Sequence, residues 1–155
     1  MRLEEKVAQR LFHRKKTISL AESCTGGLLG HRLTNISGSS KYFKVGLVTY
    51  SYESKERLLR ISHRILLKYG AVSKPVTKLM AENARKILDT DFGIGITGIA
   101  GPTGATKTKP VGLTYIALAT RTKTLCQKYI FKGTRGSVKK QAAEGALKLL
   151  LQSLR

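Results

Sequence analysis

Leu3, Val7 and Leu11 recur every four residues at the start of the chain, and Arg2, Lys6, Arg10 and Arg14 repeat at the same interval beside them. An α-helical turn holds 3.6 residues, so this spacing predicts an amphipathic helix over residues 3–14. Residues 17–23, TISLAES, read as a short strand, and residues 25–34 as a helix with Gly26 and Gly27 in its first turn. The β-branched and aromatic content of residues 42–51, YFKVGLVTYS, predicts a second strand. A helix is expected from Glu53 to Leu59. Another begins at Ser73, its expected N-cap, with Val76, Leu79, Met80, Ala84, Ile87 and Leu88 on the helical repeat. Strands over 92–98 and 111–120 flank a loop rich in Gly, Pro, Thr and Lys. A third strand, 124–131, follows a turn of Arg121, Thr122 and Lys123. Val138, Ala142, Ala146, Leu149 and Leu150 outline a long C-terminal helix. Strands interleaved with helices predict an α/β fold. We expect a single layered domain over residues 1–155, with a mixed sheet flanked by helices because the last strand pair forms a hairpin.

Composition narrows the class. The 155 residues are 41% hydrophobic, enough for one domain to bury about 70% of its unfolded surface. No run approaches the roughly 18 to 20 apolar residues of a membrane span, and the first residues lack a signal-peptide core, so a cytoplasmic protein without membrane contact is expected. Cys24 and Cys126 are the only cysteines, too few for a disulfide framework and without the paired spacing of a zinc site. Neither a metal nor another cofactor is expected. A homo-oligomer is, with a dimer first.

Charge is the anomaly, at 29 Lys and Arg against 9 Asp and Glu, a net +20. Such a surface can neutralise nucleic-acid phosphates. The cations are spread along the whole chain, however, and no aromatic residues interleave with them in an RNA-recognition pattern. A solvated basic surface that attracts small anions is the preferred reading, with nucleic acid second.

Two corners carry candidate chemistry. In 19–30, SLAESCTGGLLG, a strand turns through Ser23, Cys24, Thr25, Gly26 and Gly27 into a helix. A glycine-eased helix start and a cradle for a phosphate or oxyanion both fit, since a helix N-terminus offers unpaired N–H groups. The spacing is neither that of a Walker A loop nor that of the G-x-S-x-G elbow. A serine here needs a base. His13, His31 and His63 fall on the first helix, the second helix and a basic loop, which leaves a lysine of depressed pKa as the other solution. Among so many lysines, spacing does not choose one. Cys24 is a rival nucleophile by intrinsic reactivity, but successive strand residues point to opposite faces, so only one of Ser23 and Cys24 should face a cleft. The second corner, 97–112, TGIAGPTGATKTKPVG, also follows a strand. It reads either as a surface loop or as a wall over an anionic ligand, with Thr97 as hydroxyl donor.

The segments 21–27 (AESCTGG), 38–43 (GSSKYF), 46–51 (GLVTYS) with Lys55, 71–73 (AVS), 97–102 (TGIAGP) and 110–118 (PVGLTYIAL) together resemble the C-terminal domain of competence-damage-inducible protein A. That family includes the stand-alone nicotinamide-nucleotide amidohydrolases. The resemblance implies hydrolysis of the carboxamide of nicotinamide mononucleotide to nicotinate mononucleotide and ammonia. It implies Ser23 as nucleophile with Lys55 and Tyr50 as catalytic partners, and backbone groups of Thr25, Gly26 and Gly27 at the oxyanion. Thr97, Gly98, Ala100, Gly101 and Arg135 would hold the pyridine nucleotide. Lys139 stands where the family commonly has a second arginine, and Thr103 and Ala105 stand where glycines are usual. A non-catalytic nucleotide-binding or competence-related interaction module, with the same cleft, is the alternative.

Overall fold

The computed structural model describes residues 1–155. The chain runs α1 (Leu3–His13), β1 (Ile18–Glu22), α2 (Leu28–Thr34), β2 (Phe43–Val48), α3 (Tyr52–Leu59), α4 (His63–Tyr69), α5 (Lys74–Ile87), β3 (Phe92–Gly98), β4 (Leu113–Ala119), β5 (Thr124–Ile130) and α6 (Arg135–Ser153), with a 3-10 turn at Ser39–Lys41. The five strands form one sheet in the order β2-β1-β3-β4-β5. β1 is parallel to both its neighbours, while β3–β4 and β4–β5 are antiparallel. The sheet is therefore mixed, as the late hairpin predicts.

Alternation along the central strands sorts the helices into two layers. Ile18 and Leu20 of β1 and Ile94 and Ile96 of β3 pack with Val7 and Leu11 of α1, Leu29 and Leu33 of α2, and Ala142, Ala146 and Leu150 of α6. On the opposite face Ala21 meets Leu59, Leu66, Val76 and Met80 from α3, α4 and α5. The same alternation puts Gly93 and Gly95 of β3 under α5. A β-carbon at Gly93 would lie 2.1 Å from the Ala81 carbonyl oxygen, and one at Gly95 2.6 Å from that of Thr77. These glycines let helix and sheet approach backbone to backbone.

Three expectations need correction. Residues 25–27 are a turn, and α2 begins only at Leu28, because Gly26 and Gly27 take φ values of +60° and +98° that a right-handed helix excludes. Residues 63–69 form α4 instead of a basic loop. Ser62 caps it by accepting from Ile65 N, and Gly70 ends it. Ser73 does stand at the N-cap of α5, but its hydroxyl donates to Gly70 O and caps nothing. No helix is long and apolar enough to cross a membrane.

Chain connectivity places a crevice. The helix after β1 leaves toward one face and the helices after β2 toward the other. Such divergence opens a cleft beyond the carboxyl ends of parallel strands.

Candidate active site

Ser23 follows the last residue of β1, and its N–H still donates to Ile96 O of β3 at 3.0 Å. The side chain is therefore held by the sheet ladder. Glu22 fixes what comes next. Its buried carboxylate accepts from Leu29 N and Gly30 N, both at 2.9 Å, and from the Thr25 hydroxyl at 2.6 Å. The N-terminus of α2 is thus satisfied from within and offers no free anion site. Gly26 N donates to Ser23 O and Leu28 N to Thr25 O, whereas the N–H groups of Thr25 and Gly27 make no hydrogen bond within the chain.

Lys55 arrives from the other side of the crevice. Ser51 caps α3, accepting from Ser54 N at 3.0 Å, and the helix then turns Lys55 and Leu59, four residues apart, toward the interior. Lys55 is only 1% exposed. Its Nζ donates to Thr49 O at 2.6 Å and lies 3.1 Å from Ser23 Oγ. Burial, which disfavours the ammonium form, pulls its pKa down to about 8, opposed by the sulfur of Cys24. At pH 7 about a tenth of such amines are neutral, and a neutral amine accepts the proton that the serine hydroxyl donates.

The cleft has a volume of about 390 Å³. It is lined by both catalytic candidates, by Thr97, Gly98, Ala100 and Gly101 at the end of β3, and by Tyr50 and Arg135. Thr97 is buried at its edge. No carboxylate lines it. The loop after β3 is anchored: Ile99 N donates to Leu113 O, Gly112 N to Ile99 O, and Lys109 Nζ to Tyr69 O. Thr103, at one of the positions where the family has glycine, stands on the rim, and Ala105 lies off it.

Three site expectations change in detail. Tyr50 is 59% exposed and its hydroxyl accepts from Arg135 Nη2 at 2.9 Å, with no bond to Lys55. It belongs to the mouth of the cleft, joined to the cation that also donates to Gly101 O at 2.8 Å. Thr25, Gly26 and Gly27 do not line the cleft, and the Thr25 side chain is committed to Glu22. Cys24 borders the cleft beside Ser23 instead of pointing to the opposite face. Burial pushes its thiol up to about 11, which keeps it from the thiolate form. Lys139 reaches the corner from α6, since a methyl group on Gly26 would sit 3.6 Å from its Nζ. Glu22 and Thr49 escaped the sequence reading. The signal for Glu22 was an acid ahead of a helix start, hidden by the intervening turn.

A family model described as the CinA C-terminal domain matches residues 1–154. The chain is 50% identical over 153 residues to a CinA-like protein of Syntrophus aciditrophicus, covering 98% of this chain and 36% of that protein. It is also 50% identical over 144 residues to a CinA-like protein of Endomicrobium trichonymphae, covering 93% and 34%. The chain thus spans about a third of the length of the curated relatives it matches. Among solved structures, a CinA superfamily protein of Klebsiella pneumoniae superimposes with a TM-score of 0.94 at 31% identity, covering 98% of this chain and 95% of that one. A competence/damage inducible protein of Agrobacterium tumefaciens does so with a TM-score of 0.91 at 33% identity, covering 99% and 96%.

Proposed function

The chain belongs to the CinA C-terminal domain family, and on that footing we propose that it is a nicotinamide-nucleotide amidohydrolase acting through Ser23 and Lys55. The observation that carries this reading is the buried Lys55 amine 3.1 Å from Ser23 Oγ, with burial holding it near a pKa of 8. A lysine kept only for charge gains nothing from desolvation, whereas a base needs it.

In the reaction, neutral Lys55 takes the Ser23 proton as Oγ attacks the carboxamide carbon. At the start of the 24–27 turn, the N–H of Cys24, which borders the cleft and makes no hydrogen bond within the chain, serves the oxyanion. Collapse of the tetrahedral adduct breaks the C–N bond, and Lys55 returns its proton to the leaving nitrogen, which departs as ammonia. Water then adds to the seryl ester with Lys55 again as base, releasing the carboxylate and restoring Ser23. Arg135, at the mouth and fixed by Gly101 and Tyr50, receives the phosphate, with Lys139 as a second cation at the corner. With no acid lining the cleft, the pyridinium ring lies against neutral walls, and the phosphate supplies the charge that binds.

The test is to incubate the protein with nicotinamide mononucleotide and measure ammonia and the acid product. Ser23→Ala should lose turnover while keeping nucleotide binding, and Cys24→Ala should keep substantial activity. The reverse pattern makes the thiol the nucleophile. No turnover by folded wild-type protein favours a binding module.

A further inference from the structure

The cleft leaves most of the positive charge unexplained. Of nine carboxylates, seven are held in ion pairs with Lys or Arg or in the α2 cap, Glu56 is hydrogen-bonded with His63, and Glu82 alone has no partner. Seven of the 29 Lys and Arg side chains share those pairs. Lys55 is buried. The others pair with no carboxylate.

Several of them, with Arg85 and Arg121, meet in a concavity at the opposite end of the strands from Ser23. A groove of about 350 Å³ runs between the C-terminal half of α5 and the turn joining β4 to β5, lined by five cations, Lys78, Arg85, Lys86, Arg121 and Lys123, by the single carboxylate of Glu82, and by threonine hydroxyls, with no apolar side chain. Lys74 and Lys78 extend it along α5 beside Cys126, and Lys128 lies two residues beyond Cys126 on the same face of β5. The two banks are fastened together. Asp89 accepts from Arg121 Nη1 at 2.6 Å and from Arg85 Nη1 at 3.3 Å, and its carbonyl accepts from Arg121 Nη2. The hairpin backbone is closed by Thr120, whose hydroxyl accepts from Lys123 N.

We propose that this groove binds the phosphate backbone of duplex nucleic acid without reading its sequence. Two fixed banks of cations match a polyanion whose charge repeats about every 1.7 Å of axis, and neutralising each phosphate releases a counterion. An apolar or uncharged ligand finds nothing to pack on. Single strands find no aromatic side chain to stack on. Lysine on an edge strand also blocks strand pairing, which accounts for Lys128 but not for the cations of α5.

The experiment measures binding of a labelled duplex of about 20 base pairs between about 50 and 200 mM salt. The triple variant Lys74→Glu, Lys123→Glu, Lys128→Glu should bind at least about tenfold more weakly, with the slope of log K against log salt reduced by roughly three. A control triple at exposed positions of and just after α1, Lys6→Glu, Arg14→Glu, Lys15→Glu, carries the same net charge and should stay within about threefold of wild type. Unaltered melting temperature and an unaltered kcat for ammonia release in the groove triple exclude misfolding, and Lys→Gln versions of the same positions replace it if it unfolds. Equal weakening by both triples, no binding by wild type at low salt, or tighter binding to phosphatidylserine vesicles than to duplex would each overturn the proposal.

Discussion

Lys55 lies 3.1 Å from Ser23 and is shut away from water, which sets its amine apart from the exposed lysines around it. Its folded pKa of about 8 lies below the ordinary lysine value of 10.5. Below about pH 8 folded and unfolded chains both hold the proton, and the folded chain bears the full cost of the buried charge. Between there and the ordinary value only the unfolded chain holds it, so stability rises with pH through that window. Replacing Lys55 with Met should therefore stabilise the protein at pH 7, by on the order of 3 kcal/mol at most. The gain should shrink as pH climbs above 8, as read by urea unfolding at both ends of the window. An advantage that does not change with pH would show that the amine is not buried as a charge. Local sequence gives no sign of this lysine. Its inward direction follows from where Ser51 starts α3 and from the sheet that α3 meets, so the resemblance alone singled it out. Ser23, by contrast, was legible as a hydroxyl at the end of a strand.

Between β1 and α2, Glu22 links two elements through a single carboxylate. It caps two N–H groups that lie seven and eight residues ahead of it, a reach outside the three-residue spacing of an ordinary capping box. Glu22→Gln keeps one acceptor oxygen and brings an N–H₂ group up against donors. It should lower unfolding stability by about 1 to 3 kcal/mol, seen as a shifted denaturant midpoint with an unchanged slope. An unmoved midpoint would mean that α2 is held by its apolar contacts alone. The strands and the long helices were legible from residue type and spacing: Phe92–Gly98 is a strand where one is expected, buried almost throughout, and Val76, Met80 and Ala84 form the buried face of α5. The short α4 was not, since seven residues dense in cations carry too little periodicity, and only Ser62 and Gly70 mark its ends. The start of α2 was misjudged because the positive φ of Gly26 and Gly27 comes from the turn that Glu22 organises.

Over the whole molecule, the +20 charge surrounds a cleft that has no carboxylate in its lining. A field of that sign concentrates anionic substrates and weakens as salt shortens the Debye length from about 30 Å at 0.01 M to about 8 Å at 0.15 M. For nicotinamide mononucleotide, kcat/KM should fall with added salt while kcat changes little. A kcat/KM that is flat with salt would confine recognition to the contacts of Arg135. The mixed sheet and its two helical layers followed from the order of the elements, but the distribution of charge did not, because pairing depends on which helices meet. Catalysis by the Ser23–Lys55 pair is tested most directly by the pH profile of kcat/KM for ammonia release, compared between wild type and Lys55→Arg. Arginine keeps the cation but does not deprotonate in proteins. The expected result is a wild-type profile that rises through a midpoint near pH 8 to a plateau above about pH 9, with Lys55→Arg folded, nucleotide-binding and near background throughout. Robust ammonia release by Lys55→Arg, or a wild-type profile flat from pH 6 to 9, would contradict a lysine base.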